Sequence, residues 1–234
     1  EKEIIPIKII PAGETEETLI GSVILLQNIT PYKELDFAKT NFIATVSHEL
    51  KTPISAIKMS LQLLENKQVG SLHEEQQRLV DSIKDDAGRL LKITGELLNM
   101  TQVETGTIQM SVVPTPPREI VDYAVNSNAA AAEQKNIRIN INIPADIPNV
   151  QADKDKTSWV LTNLVSNAIR YSYENATISI DVSSEAGSIK FSVTDTGQGI
   201  APEYIDKIFD RYFRIPGTKR EGTGLGLSIS KEFI

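Results

Sequence analysis

The fold of this chain is decided by the stretch Phe42-Ile43-Ala44-Thr45-Val46-Ser47-His48-Glu49-Leu50-Lys51-Thr52-Pro53, which places one of only two histidines inside a long amphipathic pattern. His48 falls between two core positions of that pattern, so we expect its side chain to project from the flank of a helical bundle. Apolar residues recur at spacings of three, four and seven, as on one face of an α-helix, at Leu35, Phe42, Val46, Leu50, Ile54, Ile57, Leu61 and Leu64.

Three neighbours give His48 a local chemistry. Glu49 and Thr52 lie within one turn of it, and a carboxylate beside an imidazole can orient the ring and accept its proton. Pro53 removes a backbone donor and leaves the carbonyl of Glu49 without its helical partner. A surface histidine beside a tolerated proline kink is the alternative interpretation.

A second helical pattern follows a break at residues 66–72. Two long helices joined by a short loop form a hairpin, and a lone hairpin cannot bury both apolar stripes. We therefore expect a homodimer in which two copies pack as a four-helix bundle. We expect His73, in the loop, to be solvated or to cap the second helix. The apolar residues of the second run are Leu79, Ile83, Leu90, Leu91, Leu97, Leu98 and Val103.

The segments on either side of the hairpin differ in character. Residues 4–10 and 19–26 are apolar and β-branched, which predicts two strands around a turn at Pro11-Ala12-Gly13-Glu14. Because two strands alone are not a stable sheet, we expect the tail of a truncated domain or a strand pair docked elsewhere. Val113-Pro114-Thr115-Pro116-Pro117 is interpreted as a linker, since its prolines can neither continue a helix nor pair as a central strand.

The remainder of the chain mixes helical and strand patterns. Helices are predicted over residues 118–135 and 154–171, and two alternating apolar runs flank Ala186-Gly187 as in a β-hairpin. A further half-buried strand is predicted from the alternation of Ile137, Ile139, Ile141 and Ile143. The sequence therefore predicts a second domain of α+β type, with helices laid on one sheet.

Composition excludes several classes of protein. The 234 residues carry a net charge of −7, which argues against a general nucleic-acid binder. The absence of cysteine excludes disulfides, thiolate zinc sites and a cysteine nucleophile. No apolar run is long enough to cross a bilayer. Glu1-Lys2-Glu3 is not a signal peptide and no Met precedes it, so we expect a cytoplasmic piece of a longer protein.

Two segments of the second domain carry side chains suited to a nucleotide. Asn163 and Asn167 share one helix face, and a carboxamide oxygen is a suitable ligand for Mg²⁺. Arg170 offers a planar fork to phosphate, and Tyr171 can line a pocket. In Ile208-Phe209-Asp210-Arg211-Tyr212-Phe213-Arg214, the two phenylalanines are most simply core residues. Taken alone, two asparagines on a helix are more often exposed polar residues or helix caps.

Two glycine-rich segments complete the candidate site. In Asp195-Thr196-Gly197-Gln198-Gly199-Ile200, the carboxylate can accept from the amine of adenine, although an ordinary turn at a strand end has the same pattern. Gly222-Thr223-Gly224-Leu225-Gly226-Leu227 opens a predicted helix, whose free N–H groups and dipole favour phosphate. It lacks the lysine of a P-loop, and its position argues against a dinucleotide-binding fingerprint.

Together these segments resemble the sensor histidine kinases of two-component systems. Ser47-His48-Glu49-Leu50-Lys51-Thr52-Pro53 looks like the family's H box, and the segments at Asn163–Tyr171, Asp195–Ile200, Ile208–Arg214 and Gly222–Leu227 resemble its N, G1, F and G2 boxes in family order. The resemblance implies multidomain α and α+β architecture: a dimerisation and histidine phosphotransfer hairpin of the HisKA type, then a two-layer α/β sandwich of the Bergerat ATP-binding fold.

The resemblance also implies the domain boundaries. Residues 31–108 form the dimerisation domain, residues 109–117 the linker and residues 118–234 the ATP-binding domain. The family pattern places one more strand after Ile234, so we expect a C-terminally truncated domain with reduced ATP affinity. Residues 1–30 are similar to the end of a PAS-like sensor domain. We expect the cytoplasmic portion of a membrane-anchored bacterial sensor, in contact with the membrane only through N-terminal segments missing from this chain.

Residue roles follow from the same resemblance. It implies that His48 is the phospho-acceptor, Glu49 its general base and Thr52 the residue for dephosphorylating a response regulator. ATP and Mg²⁺ are the implied cofactors, with Asn167 on the metal and Asp195 at adenine, and the receiver domain of a response regulator is the implied partner. The implied ATP site comprises Asn163, Asn167, Arg170, Tyr171, Asp195, Gly197, Gly199, Ile200, Arg214, Lys219, Arg220, Gly222, Thr223, Gly224, Leu225, Gly226 and Leu227.

Two other functions are consistent with these residues. One is a non-catalytic dimeric scaffold that binds nucleotide only to set its conformation, and the intact His48, Asn167 and Asp195 weigh against it. A protein that acts chiefly as a phosphatase would depend on Thr52.

Overall fold

The computed structural model describes residues 2–9, 18–26, 28–66, 68–217 and 222–234 of the chain. It begins with β1 (Lys2–Ile9) and β2 (Thr18–Leu26), an antiparallel pair with a register shift between Ile7 and Lys8. Both predicted strands are confirmed, whereas the predicted turn at Pro11–Glu14, together with Lys219 and Arg220, lies outside the described residues. Within the described ranges, this pair forms a sheet of its own.

Two long helices follow, α1 (Thr30–Leu64) and α2 (Glu74–Glu104), which confirms the predicted hairpin. His73 caps α2, which was one of the two roles expected for it, the other being a solvated loop residue. Its Nδ1 accepts from the N–H of Gln76 at 3.3 Å, and the Gln76 side chain accepts from the N–H of His73 at 3.1 Å. This reciprocal capping box satisfies two backbone donors that no helical carbonyl can reach.

The two helices pack through a seven-residue repeat of mostly small side chains. The buried residues of α1 are Thr40, Ser47, Ile54 and Leu61, and the matching series on α2 is Val80, Ala87, Thr94 and Thr101. Most of the apolar stripe predicted to be the core of α1 is instead exposed in the single chain. Only two of its members are buried, because contact between α1 and α2 uses the neighbouring face of the helix.

The segment interpreted as a linker contains a strand. β3 (Val112–Thr115) pairs antiparallel with β5 (Val150–Asp153), with Pro114 opposite Gln151. A two-stranded ladder has only edge strands, and an edge strand tolerates the N–H that proline lacks. The segment from residue 109 to residue 117 is therefore partly ordered by pairing.

The second domain has the predicted α+β composition. Its helices are α3 (Pro117–Gln134), α4 (Lys154–Tyr171), α5 (Pro202–Ile205) and α6 (Gly226–Phe233). A three-stranded sheet places β6 (Thr177–Glu185) between a parallel β4 (Arg138–Asn142) and an antiparallel β7 (Ser188–Thr194). Helices α3 and α4 pack together over this sheet, giving two layers.

The core of the second domain lies between that sheet and the two helices. Ile120, Val121, Val165, Ile178 and Ile180 are fully buried there. Burying an aliphatic side chain of this size contributes about 1.5–3 kcal/mol relative to exposure. None of the described helices combines the length and apolar character needed to cross a bilayer.

Candidate functional site

A cavity of about 600 Å³ brings together the separate segments predicted to bind a nucleotide. Four segments contribute: α4, the chain at and after the end of β7, residues 208–215, and the glycine-rich residues 222–227 that lead into α6. The predicted ATP-site residues that line the cavity are Asn163, Asn167, Arg170, Tyr171, Asp195, Gly199, Ile200, Arg214, Gly222, Thr223, Gly224, Gly226 and Leu227.

Helix α4 presents the two asparagines because its start is firmly capped. The carboxylate of Asp153 accepts from the N–H of Lys156 at 3.0 Å and from the N–H of Ser111 at 2.8 Å. Burial disfavours the charged form of Asp153, but these two hydrogen bonds and the Lys156 ammonium group outweigh it and lower the pKa of Asp153 from 3.8 to about 2. The cap thus ties the start of α4 to the end of β5 and to Ser111, the residue before β3.

The two asparagines have different surroundings. Asn163 donates to the hydroxyl of Ser230 at 3.1 Å, which fixes it against α6. A Cβ on Gly226 would lie 2.5 Å from Asn163 Oδ1, so the close approach of α6 to α4 requires glycine. The side chain of Asn167 is half-buried at the cavity wall and forms no hydrogen bond with any described residue. Its carboxamide oxygen is therefore available to a ligand.

Asp195 lines the cavity from a tight turn directly after β7. Its Oδ1 accepts from the N–H of Gly197 at 2.8 Å, which orients the carboxylate. A Cβ on Gly197 would lie 2.5 Å from the backbone oxygen of Tyr171, so a side chain there would force the turn away from α4. Gly197 shapes the site in this way without lining the cavity.

The second glycine-rich segment is held from both sides. Gly224 has φ of +73°, and a Cβ there would lie 2.7 Å from the carbonyl carbon of Tyr212. Leu225, predicted to bind ATP, points away from the cavity into a small core with Met100, Val160, Ile229 and Phe233. Its side chain anchors the segment, because a buried apolar residue restrains the glycines on either side of it.

The two phenylalanines predicted as core residues border the cavity instead. Phe213 is half-buried and contacts the Tyr204 ring at a centroid distance of 6.0 Å. Phe209 is 41% exposed, and the ammonium group of Lys231 lies 5.9 Å from its ring centroid. The core prediction is therefore wrong for Phe209, because its ring lies on the cavity lining beneath a charged side chain of α6 and is not enclosed by apolar residues.

Helix α2 supplies a wall that the sequence did not predict. Arg89, Lys92, Ile93 and Glu96 line the same cavity. Glu96 is buried, and its Oε2 accepts a hydrogen bond from the hydroxyl of Thr223. These four residues share one face of α2, but a helix face exposed to solvent has the same polar pattern. Only the docking of the second domain on α2 shows that this face lines a cavity instead of facing solvent.

The H-box residues lie apart from this cavity. His48, Glu49 and Thr52 are exposed on α1, next to the buried Ser47, whose hydroxyl donates to the carbonyl of Ile43 at 2.8 Å. Exposure of His48 agrees with the expectation that it projects from the flank. Among the described residues that line the cavity, none belongs to α1.

Comparisons with known proteins match both parts of the chain. The family model described as "His Kinase A (phospho-acceptor) domain" matches residues 38–106. The family model described as "Histidine kinase-, DNA gyrase B-, and HSP90-like ATPase" matches residues 152–234. The two matched ranges together cover more than half of the chain.

Longer bacterial proteins are similar over nearly the whole chain. Sensor-like histidine kinase SenX3 of Mycobacterium tuberculosis is 30% identical over 93% of this chain and 53% of that protein. Sensor histidine kinase WalK of Bacillus subtilis is 29% identical over 92% of this chain and 36% of that protein. The chain therefore spans about a third to a half of the length of these curated relatives.

A solved structure agrees with this grouping. Full-length ShkA in complex with AMPPNP is 27% identical, covers 82% of this chain and 40% of its own, and superposes with a TM-score of 0.64. With both family models matched in the order hairpin then ATPase, and with such relatives along its length, this chain belongs to the sensor histidine kinase family.

Proposed function

We propose that this chain is the kinase core of a sensor histidine kinase, which binds ATP in its second domain and phosphorylates His48. The observation that carries the proposal is the convergence of four separate segments on one cavity of about 600 Å³. Asp195 suits the amine of adenine. The glycine-rich segment, with Arg170 beside Gly222, suits phosphate.

The residues present fit one Mg²⁺ ion bound together with the nucleotide. Asn167 offers a carboxamide oxygen with no competing hydrogen bond from a described residue. No group of three or more Asp, Glu or His side chains that could hold a metal occurs among the described residues. An ion here would take its other ligands from phosphate and water, as Mg²⁺ commonly does. Its contribution would be to neutralise charge on the phosphates.

The proposed transfer uses groups on α1. A nitrogen of the His48 imidazole attacks the γ-phosphorus, the bond from that phosphorus to the β,γ-bridging oxygen breaks, and ADP leaves with the electron pair. The proton on the other nitrogen passes to Glu49, its neighbour on the helix. Because α1 does not line the cavity, the step requires either movement of the second domain or the His48 of a second copy.

Labelled ATP tests this proposal with a matched pair of variants. We expect acid-labile label on the wild type and on His73→Asn, which keeps a capping side chain, and none on His48→Asn. Label that persists in His48→Asn would contradict the assignment. Binding of AMPPNP without any labelling of the wild type would indicate the nucleotide-binding scaffold instead.

We further propose onward transfer to an aspartate of a response regulator, and dephosphorylation of that regulator with help from Thr52. Thr52 is exposed one turn after His48, where its hydroxyl can position a water molecule. Addition of a phosphorylated cognate regulator tests this. Thr52→Ala should slow its dephosphorylation while His48 labelling continues, and Ser60→Ala, another exposed hydroxyl on α1, should not. Equal rates in both variants would contradict the role of Thr52.

We also propose a homodimer and a longer parent protein. The exposed apolar stripe of α1 supports the dimer. The greater length and sensor names of the bacterial relatives support a parent that is membrane-anchored, with this chain as its cytoplasmic portion and β1–β2 as the end of a PAS-like domain. Recovery of the full-length gene product from the membrane fraction would support this proposal, and its recovery from the cytosol alone would contradict it.

A further inference from the structure

Helix α2 reaches the cavity at its glycine-rich end. Glu96 accepts from the hydroxyl of Thr223, and Gly222, next in the chain, lies against Arg170, with 3.1 Å between its Cβ position and Arg170 Nη1. Asp195 lies on a different segment, after β7. The wall made by α2 therefore borders the glycine-rich segment, which is the part of the cavity that suits phosphate.

Two positively charged side chains of α2, Lys92 and Arg89, line the cavity. Lys92 is one helical turn from Glu96, and Arg89 is one turn further on the same face. The ammonium group of Lys92 forms no ion pair or hydrogen bond with any described residue, so its charge is not balanced within the described part of the chain. An unpaired cation facing a cavity is suited to an anionic ligand.

The charges of the side chains that line the cavity also favour an anionic ligand. The described lining includes the cations Arg89, Lys92, Arg170 and Arg214 and the anions Glu96 and Asp195, so the hairpin supplies half of the positive side chains. Glu96, buried at the phosphate end, opposes a polyphosphate there. Cations one and two turns away on the same helix offset that repulsion.

We propose that Lys92 and Arg89 of α2 bind the polyphosphate of ATP while the second domain is docked on α2, so that one nucleotide is held by both domains. This inference rests on the proposed function. It adds two nucleotide-binding residues from the hairpin to a site otherwise built by the second domain. ATP binding and domain docking are then coupled, because undocking removes two phosphate contacts.

Titration of the full chain with AMPPNP and with adenosine tests the inference. We expect Lys92→Gln to weaken AMPPNP binding about three- to tenfold, and the double variant with Arg89→Gln to weaken it further. Adenosine, which has no phosphate, should bind all variants equally. Arg78→Gln is the matched control, since it removes the same charge from an exposed position of α2. It should change neither affinity.

Kinetics provide a second measurement. The KM of autophosphorylation for ATP should rise in Lys92→Gln, while the rate at saturating ATP should not fall. Unchanged AMPPNP affinity in the double variant would overturn the inference, as would equal weakening of AMPPNP and adenosine. Asp195→Asn distinguishes failure of this inference from failure of the proposed function. If Asp195→Asn leaves the affinities for AMPPNP and adenosine unchanged, the proposed function itself fails. If Asp195→Asn loses binding while the Lys92 and Arg89 variants keep it, only the role of α2 is rejected.

Discussion

The hairpin and the ATP-binding domain bury their apolar residues very differently. In the second domain, Ile178 and Ile180 are 0% exposed between the sheet and two helices. On α1, Phe42 remains 69% exposed and Ile57 46% exposed. Both regions have strong apolar patterns, so the pattern alone does not distinguish a core closed within one chain from a core that needs a second chain.

The difference reflects geometry. A sheet covered by helices encloses apolar side chains on both inner surfaces, whereas two helices share only one line of contact. In this hairpin the line is occupied by small residues such as Ser47 and Ala87. The exposed stripe beside it is the surface proposed to pack against a second copy. The following predictions test this contrast, from the largest expected effect to the smallest.

The core of the second domain should be the most sensitive to truncation. We expect Ile180→Ala to lower the free energy of unfolding of this domain by roughly 3 kcal/mol, because it leaves a cavity at a fully buried position. Urea unfolding followed by the fluorescence of Trp159, the single tryptophan, measures this. A loss below about 1 kcal/mol would show that the core adjusts and would weaken the contrast.

Removal of the N-cap of α4 should have the second-largest effect on the free energy of unfolding. Asp153→Ala removes an N-cap and leaves the N–H of Ser111 unpaired, which together should cost about 2 kcal/mol. Because folding lowers the pKa of Asp153 to about 2, its contribution is fully present above pH 3.8 and is lost as the pH falls through about 2. Unfolding at several pH values checks this. Asp155→Ala, in the same first turn but exposed, should change stability little.

The stripe on α1 should affect association more than folding. We expect Ile57→Ala to weaken the homodimer about tenfold while leaving the unfolding of the second domain unchanged. Sedimentation at several concentrations measures the dissociation constant. Met59→Ala is the control, because Met59 is 63% exposed but lies on another face of α1. Equal effects of the two variants would argue against a dimer through this stripe.

The smallest effect should come from the surface of the hairpin. Arg78 pairs with Glu74 on exposed α2, and such i,i+4 pairs contribute no more than about 0.5 kcal/mol. We therefore expect Arg78→Gln to shift thermal unfolding barely at all, and less at high salt than at low salt. A large shift would mean that this end of α2 is packed against something outside the single chain.

Features set by neighbouring residues were predictable. Helix α4 spans Lys154–Tyr171, as its pattern predicted, since Asp153 caps it locally. The β6–β7 hairpin turns at Ala186-Gly187, whose φ angles of +49° and +82° suit a two-residue turn. Strand β3 was not predicted, because its partner, β5, lies far along the chain and because the prolines in and after β3 indicated a linker.

In the candidate site, too, local features were predictable from the sequence and features that depend on tertiary packing were not. The asparagines of α4 and both glycine-rich segments were recognised from the sequence, because side-chain chemistry and the need for glycine are local properties. The inward direction of Leu225 and the exposure of Phe209 were not, since both depend on what packs over one short segment.

By itself, the sequence determined the hairpin, the second domain, the histidine on α1 and the candidate residues for a nucleotide site, because each follows from periodicity or from chemistry within a few residues. Only the tertiary structure decided that α2 is a wall of the cavity, with Glu96 against Thr223, and that His48 lies outside it. Docking of two domains depends on surfaces assembled from distant segments, and no local pattern specifies which of two polar helix faces will be covered.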